Sequence, residues 1–152
     1  MVNNQIGVSL IEMMATLAII SILATGILPL SQVVYKRTHE MELRNNLRTI
    51  RKALDAHKVL VDEKVIPAGP GDSGYPETLE ILVEGVDLKT ATGEKRKFLR
   101  RVPKDPMVED GEWGLRSYAD DSESSIWGGQ DVYDVYSLSD KQAIDGSNYR
   151  EW

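Results

Sequence analysis

Glu12 is the residue whose surroundings most demand a chemical explanation. It is the single charge in the run Val8 to Leu30, VSLIEMMATLAIISILATGILPL. A carboxylate in hydrocarbon is unfavourable by roughly a few kcal/mol, so such a group is functional by default and needs a cationic partner. The other reactive side chains form no catalytic constellation. His39 and His57 lie in a polar-faced stretch without a neighbouring Cys, Ser or carboxylate set, and read as surface histidines. Asp120-Asp121-Ser-Glu123 reads as a solvated acidic loop. The glycines between Gly69 and Gly74 lack the Lys-Ser/Thr pair of a phosphate loop. With no cysteine in the chain, disulfides, thiol catalysis and thiolate metal sites are all excluded.

The elements that must position Glu12 follow from the rest of the pattern. A chain of 152 residues fits one compact domain plus one further element. Its net charge of −6 and pI near 5.0 argue against nucleic acid as a partner. Basic residues cluster at Lys36–Lys58 and Lys95–Lys104 without an aromatic stacking platform, and read as solvated faces or subunit contacts. The apolar run of about 23 residues is long enough to cross a bilayer as a helix. A secretory signal would have a basic start and an Ala-x-Ala-like cut site, and MVNNQIG before the run offers neither. Gly26 and Pro29 should weaken helical hydrogen bonding locally. Beyond them Leu43, Leu47, Ile50, Leu54 and Val61 keep a three-four spacing, with Arg44, Arg48, Arg51, Lys52 and Asp55 between. One helix from about Ser9 to Val61 is predicted, roughly 80 Å long, whose second half must seat a soluble domain.

After that helix, Pro67 to Gly74 reads as a loop, and Tyr75-Pro76-Glu77-Thr78-Leu79-Glu80-Ile81-Leu82 as a short helix begun by Pro76 or Glu77. Strands are predicted over Gly114–Ala119, Asp131–Ser137 and Asn148–Trp152. Trp113, Trp127 and Trp152 are expected to fill a small core. The fold class is α+β: a long N-terminal α-helix, its first half transmembrane, packed on a small antiparallel β-sheet.

Gly7 followed by Val8-Ser9-Leu10-Ile11-Glu12 and a long apolar run resembles the processing site of type IV pilins and type II secretion pseudopilins. The resemblance implies a prepilin peptidase that cuts after Gly7, methylation of the new terminus Val8, and Glu12 at the fifth place of the mature chain. Pro29 falls where these helices usually carry a proline. The family more often has Phe or Met where Val8 stands, and a basic residue in the leader. Lys36 and Arg37 beyond the run bias the far side toward the cytoplasm, against the motif, which places it in the periplasm; we follow the motif. Physically, the freed amine of Val8 can pair with Glu12 of a neighbouring copy, offsetting two desolvation penalties and setting register.

The string YPETLEILV, Phe98-Leu99 through Pro103, Asp105-Pro106, Trp113-Gly114, Val132-Tyr-Asp-Val-Tyr-Ser137 and Trp152 extend the likeness to the major pseudopilin of type II secretion systems. Residues Met107–Glu112 intervene where the family joins Asp-Pro to Trp-Gly. The resemblance implies a type IV pilin-like fold: a leader over 1–7, a transmembrane and filament-core helix over 8–30, and a periplasmic domain over 31–152. It also implies a single-pass inner-membrane protein that is not an enzyme. Its partners would be further copies of itself, the prepilin peptidase, an inner-membrane assembly platform, minor pseudopilins and, before assembly, membrane lipid. The alternative is a type IV pilin of a surface pilus; such pilins commonly carry a cysteine pair, which this chain lacks. Family members bind calcium in the loop after the YDVYS strand. The matching residues are Asp140, Asp145, Ser147 and main-chain carbonyls such as that of Leu138, against the six to eight oxygens calcium takes. The same residues also suit a turn held by Asp and Ser hydrogen bonds around Asp145-Gly146.

Overall fold

A computed structural model of the chain describes residues 7–89 and 94–152. Helix α1 spans Leu10–Asp62, 53 residues. It continues through Gly26 and Pro29 with no interruption of secondary structure. Pro29 has no amide hydrogen, so the carbonyl of Thr25 lacks its usual donor, yet the helix does not end there. The helix is shared by two compact units, one ending at Thr38 and the other covering His39–Trp152.

Helix α1 stops where Lys64 takes φ +60°. The amide of Val65 donates to Leu60 O at 2.9 Å and that of Lys64 to Val61 O at 2.9 Å, the paired bonds of a Schellman end. Glycine is the usual occupant of that left-handed position, since a Cβ is strained there.

Within the second unit the three-four spacing does what it predicts. Leu43, Leu47, Ile50 and Leu54 are buried, and they pack with Leu79, Leu82, Trp113, Val132, Val135, Ala143 and Tyr149 in one cluster. Helix α2 covers only Ile81–Glu84. Of the residues expected to begin it, Glu77 to Leu79 form bends and Glu80 a turn. Pro76 O accepts from Val132 N at 2.8 Å, which ties this stretch to the chain before the last strand.

The expected single sheet is two antiparallel ribbons. Strand β1, Val86–Asp87, pairs with β2, Lys95–Arg96. Strand β3, Trp113–Arg116, pairs with β4, Asp134–Ser137, placing Gly114 opposite Tyr136. Both strands of this second ribbon are shorter than predicted. A Cβ on Gly114 would lie 2.3 Å from Cζ of Tyr136, so only glycine fits there.

The predicted strand over Asn148–Trp152 is instead a 3₁₀ turn, η1, at Tyr149–Glu151. The Asn148 side chain caps it by accepting from Arg150 N at 3.2 Å, and the extended chain is limited to one bridge between Gln142 and Asn148. Of the three tryptophans, Trp113 is buried and donates from Nε1 to Pro103 O at 2.8 Å. Trp152 is half-buried against the core, but Trp127 is 38 % exposed and belongs to the surface.

Candidate assembly segment and the loop after the last strand

Gly7, Val8 and Ser9 precede α1 without regular secondary structure, and the helix begins at Leu10. Glu12 sits in its first turn, where a negative charge is favoured by the unpaired amides of the helix start. Around it Val8, Leu10, Ile11, Met13, Met14, Leu17, Ile19 and Ile20 are all exposed, so the apolar surface extends round the helix rather than along one stripe. This helix is long and apolar enough to cross a membrane, and none of its apolar stretch is buried. Its hydroxyls are consumed internally: Thr16 donates to Met13 O, Ser21 to Leu17 O and Thr25 to Ser21 O, at 2.8–2.9 Å. That is the arrangement a polar group needs where no water is available. Glu12 differs. Among the described residues it has no ion pair and no side-chain hydrogen bond.

In the second unit two polar residues missed by the sequence reading hold the packing. Glu40 is 9 % exposed, and its Oε1 accepts from Tyr149 Oη at 2.8 Å and from Ile144 N at 2.7 Å. Burial first, and then the Glu40 carboxylate, push the Tyr149 phenol well above its ordinary range. Arg51 donates from Nε to Asp134 at 2.7 Å and from Nη2 to Val135 O and Trp152 O at 3.2 and 2.7 Å. The signal for Glu40 was its place three residues before Leu43, in line with the buried stripe.

His57 corrects the expectation of a surface histidine, being only 5 % exposed. It lies three residues after Leu54 on the same stripe. Its Nδ1 is 3.0 Å from Gly74 O, an acceptor, so Nδ1 carries the proton, and the ring lies 5.4 Å from that of Phe98. Burial lowers its pKa from the usual 6.5, against the raising effect of the Gly74 carbonyl. His39 is half-buried, with Nδ1 3.8 Å from Glu42. His57 lines a half-open cavity of about 700 Å³ together with Tyr75, Glu77, Tyr118 and Asp131. Asp140 and Asp145 do not line it.

The acidic stretch is also more than a solvated loop. Asp120 accepts from Ser117 N at 2.8 Å and Gly128 N at 3.0 Å, and these two bonds hold its carboxyl below the usual carboxylate range. Asp121 and Glu123 are exposed as expected.

The loop that resemblance assigns to calcium has a definite internal arrangement. Asp145 Oδ1 accepts from Ser147 Oγ at 2.6 Å and Ser147 N at 3.0 Å, and its Oδ2 lies 3.2 Å from Arg44. These bonds, Ser147 first, lower the Asp145 pKa. Asp140, whose side chain is 81 % exposed, pairs with Arg150 at 3.3 Å. Leu138 is exposed. Among the described residues no three His, Cys, Asp or Glu side chains converge as a metal cluster. Two carboxylates, each already facing a guanidinium, do not fit a divalent cation that takes six to eight oxygens.

Comparison with known families matches residues 2–28 to the prokaryotic N-terminal methylation motif. Neither curated proteins nor solved structures gave a match. The matched stretch holds Gly7, Val8 and Glu12 and most of the exposed apolar helix. That motif indicates a pilin-like subunit of the kind processed by prepilin peptidase, and the exposed apolar helix suits membrane anchoring.

Proposed function

We propose that the chain is the major subunit of a type II secretion pseudopilus. It is cut after Gly7, methylated at the amine of Val8 and packed through residues 8–30 into a short periplasmic filament that drives protein export. In this reading residues 1–7 are the leader, 8–30 the filament-core helix, and 31–152 the domain carried on the periplasmic side of the inner membrane. Its partners are further copies, the peptidase, the inner-membrane assembly platform, minor pseudopilins and, before assembly, lipid. The role is structural and no reaction is assigned to the cavity.

The observation that carries this reading is the lone carboxylate of Glu12, held in the first turn of an exposed apolar helix four residues after Val8. Every hydroxyl described above in that helix bonds its own backbone, whereas Glu12 has no partner among the described residues. The amine freed at Val8 of a neighbouring copy supplies one. Burying either charge alone is strongly unfavourable, so a subunit docked out of register is disfavoured by several kcal/mol in the water-poor filament core. The absence of cysteine and the likeness of residues 75–152 to the major pseudopilin favour secretion over a surface pilus.

Intact-mass measurement of the native protein tests the cut: loss of residues 1–7 and gain of one methyl group are expected, and a chain beginning at Met1 refutes it. Glu12→Ala should leave insertion and cleavage intact and abolish filaments; normal filaments from that variant refute the pairing. Deleting the gene should stop enzyme secretion and spare twitching motility. The reverse outcome assigns the chain to a surface pilus.

A further inference from the structure

The loop after β4 is closed by a ring of four side chains. Arg44 of α1 places its guanidinium carbon 4.0 Å from the centre of the Trp152 ring. Trp152 Nε1 donates to Ser147 Oγ at 2.7 Å, and Ser147 Oγ donates to Asp145 Oδ1 at 2.6 Å. Asp145 Oδ2 returns to Arg44 Nη2 at 3.2 Å. A second guanidinium, from Arg150, meets Asp140 at 3.3 Å. Three carbonyls of the loop are engaged within it: Ser147 O accepts from Ala143 N, Ala143 O from Gly146 N, and Lys141 O from Tyr149 N.

We infer that Arg44 and Arg150 take the place of a divalent cation in this loop, so that its closure is independent of calcium. The Arg44–Asp145 pair alone would not achieve this. Its side chains are 53 % and 56 % exposed, and an isolated pair of that kind contributes little. The ring changes the balance, because the guanidinium is fixed by stacking on Trp152 before it meets the carboxylate. Ser147 orients both the indole and Asp145 through one hydroxyl. Glu40 and Arg51, from the same helix, fasten Ile144, Tyr149 and Trp152 on either side. A lysine at position 44 would keep the charge and lose the planar stack.

Thermal unfolding of the full chain in detergent, in millimolar calcium and in chelator, tests the inference. The wild-type midpoint should be the same in both. Arg44→Ala should lower it by about 5 °C in both conditions, judged from the usual scaling of midpoint with stability. Arg44→Lys should recover less than half of that loss. A rise of the wild-type midpoint with calcium overturns the inference, as does an Arg44→Ala chain that melts like wild type. Neither measurement depends on cleavage or filament formation, so the assignment of Glu12 stands or falls separately.

Discussion

Replacing Glu40 by alanine should be among the most damaging single changes in the second unit. Its Oε1 receives both the Tyr149 hydroxyl at 2.8 Å and the Ile144 amide at 2.7 Å. Hydrogen bonds to a charged acceptor are worth about 1.5–3 kcal/mol each, and truncation also leaves the buried Tyr149 hydroxyl and the part-buried Ile144 amide without an acceptor. Relief of the desolvation of a carboxylate that is 9 % exposed offsets part of the loss. The expected net effect is about 3 kcal/mol for Glu40→Ala, falling to about 1 kcal/mol for Glu40→Gln, which keeps an uncharged acceptor. Tyr149→Phe removes one donor and should destabilise by about 1.5 kcal/mol. Urea unfolding of a fragment over 31–152 followed by tryptophan fluorescence measures all three, since the buried core lies within His39–Trp152. In the double mutant Glu40→Ala/Tyr149→Phe the two losses should fall short of additive by at least about 1 kcal/mol. Additive losses, or a Glu40→Ala change below about 0.5 kcal/mol, would refute the claim that this carboxylate ties α1 to the loop.

Stability should also fall on mild acidification. The folded pKa of His57 lies below the usual 6.5, so well above pH 6.5 neither state is protonated and its contribution is constant. As pH drops below 6.5 the unfolded chain binds a proton that the folded chain refuses, and stability declines until the folded pKa is passed. Asp120 and Asp145 titrate below their usual 3.8, so the loss between pH 6.5 and 5 is assigned to His57 and should shrink in His57→Gln when urea midpoints are compared. Gly114→Ala should destabilise by about 3 kcal/mol through displacement of the Tyr136 ring, read as a lower urea midpoint. Lys64→Gly should raise stability by about 1 kcal/mol by relieving the left-handed position at the end of α1; an unchanged midpoint would count against the strain.

The long helix and its buried stripe were legible because both rest on periodicity, which a sequence displays directly. Leu43, Leu47, Ile50 and Leu54 needed no tertiary information to be placed. The strands were harder. Asp131-Val-Tyr-Asp-Val-Tyr-Ser137 alternates well, yet only Asp134–Ser137 pairs, because Asp131 is drawn out of the ladder. Its Oδ1 accepts from Tyr118 N at 2.8 Å, and its carbonyl accepts from Ser117 Oγ and Trp127 Nε1. At Asn148 a local cap outweighed the strand pattern of the residues beyond it, a competition that short aromatic stretches often lose. The role of Arg51 depends on Asp134 and Trp152, far away in sequence, and nothing in its own neighbourhood announces it.

Glu12, Glu40 and His57 pose one problem in three places: a polar side chain where the helical pattern calls for an apolar one. The general rule is that such a group is retained only with a partner. Glu40 finds the Tyr149 hydroxyl and the Ile144 amide, and His57 finds the Gly74 carbonyl, both within the unit over His39–Trp152. Reading position against type would therefore have identified both as buried, whereas their composition alone suggested a solvated face. Glu12 obeys the same rule with a different solution. It is exposed, amid apolar side chains that are exposed as well, and among the described residues nothing pairs with the charge or covers its surroundings. A partner that buries the apolar helix must also bring a cation to the level of its first turn. In the function proposed above, a second chain cut after Gly7 would meet both requirements through one surface, its own apolar helix carrying the new amine at the matching end.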